Sequence, residues 1–142
     1  MRISIGSDHG GFILKEEVIK HLNSLEYEVT DCGTYSLDSS DYPIYAKKVA
    51  NDVKNDNADF GILICTTGIG MSITANKVKG VRAALISNLD AAHLTRKHNN
   101  SNVICLGAKY TSVNDAIAFI DAFLNEKFEG GRHERRVNLI EE

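Results

Sequence analysis

The chain has 142 residues, 43% of them hydrophobic and only one of them proline, enough to bury a core and within the usual size of one domain, so residues 1–142 are read as a single domain. Its formal charge is −3, with lysines and arginines scattered rather than blocked, which excludes a basic footprint for nucleic acid or an anionic membrane surface. No apolar run approaches the roughly 18 to 20 residues of a membrane span, and the N-terminus lacks a signal-peptide pattern, so a soluble cytoplasmic protein is expected.

In chain order, Arg2 to Gly6 reads as a first strand and is followed by the small polar loop Ser7-Asp8-His9-Gly10-Gly11. Leu14, Val18, Leu22 and Leu25 then recur at helical spacing, which predicts a helix with one buried face. Glu28 to Cys32 reads as a second strand, and after Asp41-Tyr42-Pro43 the residues Ala46, Val49, Ala50 and Val53 mark a second apolar helical face. Phe60 to Cys65 is apolar on both faces, the pattern of a parallel strand buried between two helical layers.

The run Cys65-Thr66-Thr67-Gly68-Ile69-Gly70-Met71-Ser72 leads from that strand straight into a helix. Val81 to Ser87 and Asn102 to Gly107 read as two further strands, with a helix between them that ends near Arg96-Lys97-His98-Asn99-Asn100. Ala116, Phe119, Ile120 and Phe123 give one more amphipathic helix, Gly130-Gly131 a turn, and Arg132 to Ile140 a last helix. The alternation predicts an α/β architecture, a three-layer doubly wound Rossmann-like fold with a five-stranded parallel sheet and a C-terminal helix.

In open α/β sheets ligands bind beyond the carboxyl ends of the strands, so the loops after the first and third strands are the candidate sites. In the second of these, Gly68 and Gly70 let the backbone approach a ligand, and the amides opening the next helix can receive a negative oxygen. The loop lacks the lysine of a P-loop and the glycine pattern of a dinucleotide site, and tight turns also use glycine for structural reasons alone.

Three cysteines, Cys32, Cys65 and Cys105, are too few and too widely spaced for a disulfide framework or a paired-ligand zinc site. Cys65 would place its sulfur at a helix N-terminus, where amide donors favour the thiolate; Cys32 and Cys105 lack such a loop and read as structural. His9 and His98 sit in polar settings that suit either a site or an ordinary surface. Arg132 and Arg136, four residues apart on the last helix, share one face, which suits either a phosphate grip or a solvated basic surface. Asp8 is open to roles as helix cap or proton carrier, and Asp41 could be only a turn residue.

Taken together, Ser7 to Phe12, Asp41-Tyr42-Pro43, Cys65 to Ser72, Ala75-Asn76-Lys77, His98 to Asn102 and Glu129 to His133 closely resemble the type B ribose-5-phosphate isomerase and galactose-6-phosphate isomerase family, essentially end to end. The resemblance implies a cofactor-free, metal-independent aldose–ketose isomerisation through an enediol, with Cys65 as the carbon base. It further implies that His98 opens the furanose ring, that Asp8 moves the hydroxyl proton, and that Thr67 adds a hydroxyl near the enediolate. The loop Thr66, Gly68, Ile69, Gly70 and Ser72 would hold substrate with Tyr42 and Asn99, and His9, Lys109, Arg132 and Arg136 would grip the phosphate. Two residues depart from the family pattern: Thr66 stands where glycine is common, and Lys109 where many members carry arginine.

Within the family, retention of Cys65, His98, Asn99 and the two arginines favours ribose 5-phosphate and ribulose 5-phosphate as the sugar pair, in the non-oxidative pentose phosphate pathway. Allose 6-phosphate or galactose 6-phosphate is the alternative substrate, a non-catalytic sugar-phosphate-binding regulator the alternative role, and a flavodoxin-like binding module the rival on pattern alone. Because Cys65 belongs at the carboxyl edge of the sheet and His98 near the opposite edge, roughly 17 to 20 Å away, a homodimer sharing its sites, or a tetramer built from such dimers, is expected.

Overall fold

The computed structural model describes all 142 residues. Five strands, β1 (Arg2–Ser7), β2 (Glu28–Asp31), β3 (Phe60–Cys65), β4 (Ala83–Leu85) and β5 (Val103–Gly107), form one sheet in the order β2-β1-β3-β5-β4. Every neighbouring pair is parallel. Around it lie α1 (Phe12–Ser24), α2 (Tyr42–Lys54), α3 (Ile69–Ala75), α4 (Leu89–Asn99), α5 (Val113–Asn125) and α6 (Arg132–Ile140). The expected doubly wound three-layer fold is therefore present, and the last helix has the expected bounds.

The strand period of two separates the side chains onto two cores. Ile3, Ile5, Ile62, Ile64, Ile104 and Leu106 pack with Leu14, Val18 and Leu22 of α1, Ala92 of α4 and Phe119, Ile120 and Phe123 of α5. Leu63, Cys65, Val103 and Cys105 face the other way, against Ala46, Val49 and Ala50 of α2 and Met71 and Ala75 of α3. Cys65 thus faces the α2 and α3 side of the sheet.

Helix boundaries follow local chemistry. Pro43 lies in the first turn of α2, where a missing amide proton costs nothing. The Asn88 side chain caps α4 by accepting from the Ala91 amide at 2.8 Å, and Asn100 at φ +47° ends it in the left-handed conformation. That stop leaves His98 in the last turn of α4.

Several boundaries differ from expectation. The fourth strand pairs only over Ala83–Leu85 rather than Val81 to Ser87, because as an edge strand it has β5 alone as a partner. Leu25 lies just beyond α1 and is exposed, since Glu26 at φ +61° turns the chain before a further buried position is reached. Cys32 falls after β2, its sulfur beside the Ser4 hydroxyl at 3.2 Å.

Candidate active site

The chain runs from β1 outward to β2, then returns past β1 to β3. The carboxyl ends of β1 and β3 therefore flank the point where the strand order reverses, the place where open α/β sheets leave a crevice. Asp8 follows β1 and Cys65 ends β3, and both line a cleft of about 400 Å³ with Tyr42, Thr66, Thr67, Ile69, Gly70 and Ile73. The two loops meet closely: a side chain built on Gly10 would collide with the Thr66 hydroxyl. Thr66, one of the two residues that depart from the family pattern, is thus part of the cleft wall.

Cys65 is 5% exposed, and its sulfur accepts the Gly68 backbone amide at 3.1 Å. Gly68 can aim that amide because it sits at φ +77°, a conformation that costs a residue with a Cβ roughly 1 kcal/mol or more. A Cβ there would also lie 2.6 Å from Leu85 Cδ1 and 2.8 Å from the Leu106 carbonyl carbon. Next along, the Ile69 amide donates to the Thr67 hydroxyl at 3.3 Å, and the Ser72 hydroxyl donates to the Ile69 carbonyl at 2.9 Å. Two amides expected to serve an anion are thus committed inside the loop, and the Ser72 hydroxyl turns onto α3 itself.

Asp8 is the helix cap its sequence position allowed. It caps the short turn His9–Gly11 by accepting the Gly11 amide at 3.2 Å, and it lines the cleft. His9 accepts the Ser40 amide on Nδ1 at 3.1 Å, which places the proton of the neutral ring on Nε2 as a free-facing donor. Tyr42 lies against Gly70. Lys109 is exposed on the turn after β5, and its backbone amide donates to the Thr66 carbonyl at 2.9 Å while Ala108 donates to the Cys65 carbonyl at 2.9 Å.

The other two cysteines contrast with Cys65. Cys105 has no exposed surface, and burial pushes its thiol far above the ordinary value. Burial also raises Cys32, against the opposing Ser4 hydrogen bond and with help from Asp52. Cys105 lies within the core and Cys32 half-buried against it.

His98, Asn99, Arg132 and Arg136 lie elsewhere. The strand following α4 starts at Val103, whereas Cys65 pairs with Gly107 at the far end of that strand, so His98 belongs to the amino edge of the sheet, roughly 15 Å or more from the sulfur. Asn99 borders a hollow with Asn76, Arg82 and Thr95; Arg132 and Arg136 are exposed on α6. None of the four lines the Cys65 cleft. A larger hollow of about 620 Å³ at the amino edge, bordered by Arg82 and Arg96, is lined by no cysteine or histidine, and Arg82 is already taken by the Asn99 and Asn100 carbonyls.

Sequence reasoning missed a cluster at that edge. The His98 and His133 rings stack at 4.3 Å between centroids and 12° between planes, and Glu129 lies 4.0 Å from His98 Nε2 and 3.7 Å from His133 Nε2. The i, i+4 spacing of Glu129 and His133 was the available signal. These donor atoms lie within 4.8 Å of one another, but lone pairs in two parallel ring planes cannot meet on one ion, so the stacked pair does not form a metal site. Burial, then the charges of His98, Arg132 and Arg136, lower the pKa of His133, with Glu129 opposing.

Comparison with known proteins places this geometry. The Ribose/Galactose Isomerase family model matches residues 3–140. Ribose-5-phosphate isomerase B of Escherichia coli (strain K12) is 46% identical over 139 residues, covering 98% of this chain and 93% of that protein. Among solved structures, ribose-5-phosphate isomerase B of Clostridium thermocellum superposes with a TM-score of 0.98 at 46% identity, over 99% of this chain and 95% of that one. The Mycoplasma genitalium ribose-5-phosphate isomerase B with bound ribulose-5-phosphate gives 0.94 at 45%, over 98% and 93%. With an end-to-end match of sequence and fold, and a cysteine set in the cleft at the reversal point of the sheet, the chain belongs to the ribose/galactose isomerase family.

Proposed function

We propose that this chain interconverts ribose 5-phosphate and ribulose 5-phosphate through an enediol. The observation that carries the reading is the Cys65 sulfur, held by the Gly68 amide at 3.1 Å in a cleft that it shares with Asp8. A thiolate there is a base facing a cleft whose polar groups are Asp8, Tyr42, Thr66 and Thr67, and the relative from Mycoplasma genitalium was solved with the ketose phosphate bound.

The reaction moves hydrogen within one molecule. Cys65 takes the proton from carbon 2 of the open-chain aldose and returns it at carbon 1, while Asp8 carries the hydroxyl proton between the two oxygens. Charge on the enediolate oxygens falls to the donors of the Thr66 to Gly70 loop other than the Gly68 and Ile69 amides, which Cys65 and Thr67 already engage, and to the Thr67 hydroxyl. No electrons leave the substrate, so the chemistry calls for no redox cofactor.

Before that step the furanose must open, the part we give to His98, with Asn99 on a sugar oxygen. The phosphate goes to the His9 Nε2 proton, Lys109 and the Arg132 and Arg136 pair. Because one chain keeps His98, Asn99 and both arginines away from its own Cys65 cleft, the working unit in this reading is a homodimer. Each subunit lends these groups to its neighbour's sulfur, and two dimers can associate as a tetramer.

The test is conversion of ribose 5-phosphate by the wild type and by Cys65→Ala, with a chelator present. Turnover by the wild type alone supports the reading. Tight sugar-phosphate binding without conversion would favour a regulator, and loss of wild-type turnover in chelator would defeat the metal-free mechanism. Thr66 lines the cleft and its hydroxyl lies close to Gly10, so comparing ribose 5-phosphate with allose and galactose 6-phosphates decides the sugar length.

A further inference from the structure

We infer that Glu129 and His133 are positioning residues for ring opening, fixing the imidazole of His98 in the orientation that lets it take the anomeric proton. The inference rests on the reading of His98 given above and adds two residues that act through it without touching the sugar.

An imidazole at a helix end turns freely about two side-chain bonds unless something holds it. His98 is in the last turn of α4 with its side chain 38% exposed, so its own helix does not fix the ring. The His133 ring does: it stacks on His98 at 4.3 Å and 12° and is itself 6% exposed, anchored in α6. The stack selects one plane for the His98 ring.

Within that plane the ring can still flip, and Glu129 breaks the tie. Its two carboxylate oxygens divide between the rings, one 4.0 Å from His98 Nε2 and the other 3.7 Å from His133 Nε2. The buried His133 Nε2 has no hydrogen-bond partner, a cost that a shift of under an ångström by Glu129 would remove. The segment bearing Glu129 is held to α4 by its amide, which donates to the Lys97 carbonyl at 3.1 Å. Gly130 and Gly131 at φ +70° and +59° then swing the chain into α6, which brings His133 back over His98.

The chemistry this serves is balanced within the sugar. His98 takes the proton of the anomeric hydroxyl, the bond between carbon 1 and the ring oxygen breaks, and a proton is returned to that oxygen. A carboxylate close to the imidazole stabilises the imidazolium formed midway, as in other oriented histidine bases.

Ring opening can be separated from isomerisation with an aldose 5-phosphate lacking the 4-hydroxyl, which cannot close a ring. For the full-length assembled enzyme, Glu129→Gln is expected to lower kcat/KM on ribose 5-phosphate by about 10- to 100-fold, the scale of a misplaced catalytic group, and to change turnover of the open-chain substrate far less. Glu129→Asp should restore part of the loss, and His133→Phe, which keeps a ring to stack, should lose less than His133→Ala. Equal losses on both substrates, or none, would overturn the inference. If His98→Asn discriminates between the substrates and Glu129→Gln does not, only the positioning role is lost; if His98→Asn fails to discriminate, the ring-opening role of His98 goes and this inference with it.

Discussion

The backbone amide of Gly68 and the sulfur of Cys65 are 3.1 Å apart, an amide donating into a thiol across a single turn. The contact requires φ +77° at Gly68 and a bare Cα against Leu85 and Leu106. Gly68→Ala is therefore expected to destabilise the fold by about 1–3 kcal/mol and to cut turnover further, by turning the amide away from the sulfur. Chemical denaturation and steady-state kinetics on the same sample check both effects.

Shared sites have a quantitative signature. Cys65→Ala and His98→Asn chains, each impaired on ribose 5-phosphate alone, should regain up to about a quarter of wild-type activity on that sugar when unfolded together and reassembled in equal amounts. Half the dimers are then mixed, and each mixed dimer has one intact site. Recovery near zero, with mixed dimers verified by mass spectrometry, would place all the groups in one chain.

Lys15 has no exposed surface and is paired with Asp31 at 2.8 Å, near the Phe12 and Tyr35 rings. Removing Asp31 leaves the buried ammonium with only the half-exposed Glu16 carboxylate at 3.2 Å, whereas removing the ammonium strands no buried charge. Asp31→Asn should cost about 1–3 kcal/mol, reduced by the partial exposure of Asp31, and Lys15→Met should be close to neutral. The order of the two denaturation midpoints is the test.

His133 gives stability a pH dependence of definite sign. Its pKa is lowered in the folded chain, so the unfolded chain binds protons first as the pH falls. Stability is full above the ordinary value of 6.5 and declines as the pH drops through and below it. Asp59 and Glu126, lowered by their Arg2 and His93 partners from ordinary values of 3.8 and 4.5, lose their contributions only at more acid pH. Between about pH 6.5 and 5 the decline should therefore vanish in His133→Phe.

The fold was legible because its signals are local and repeated. The doubly apolar run Phe60 to Cys65 announced a parallel strand, and the helical faces of α1, α2 and α5 fell where the cores lie. What failed at the margins depended on partners: β4 is short because only β5 pairs with it, and Leu25 is exposed because Glu26 turns the chain. In the site, the cleft residues were legible as loops after β1 and β3. The pairing of His98 with Glu129 and His133 was not, because it joins α4 to α6 across the turn at Gly130, a meeting that no periodicity encodes.

The carbonyls of Cys65 and Thr66 each accept an amide from the turn after β5, those of Ala108 and Lys109, at 2.9 Å. The two loops are thereby riveted side by side as a continuation of the sheet rather than hung from it as flaps. A pocket floored in this way can meet a short, charged sugar without first rearranging its own backbone, so the donors near the sulfur are aligned before the ligand arrives.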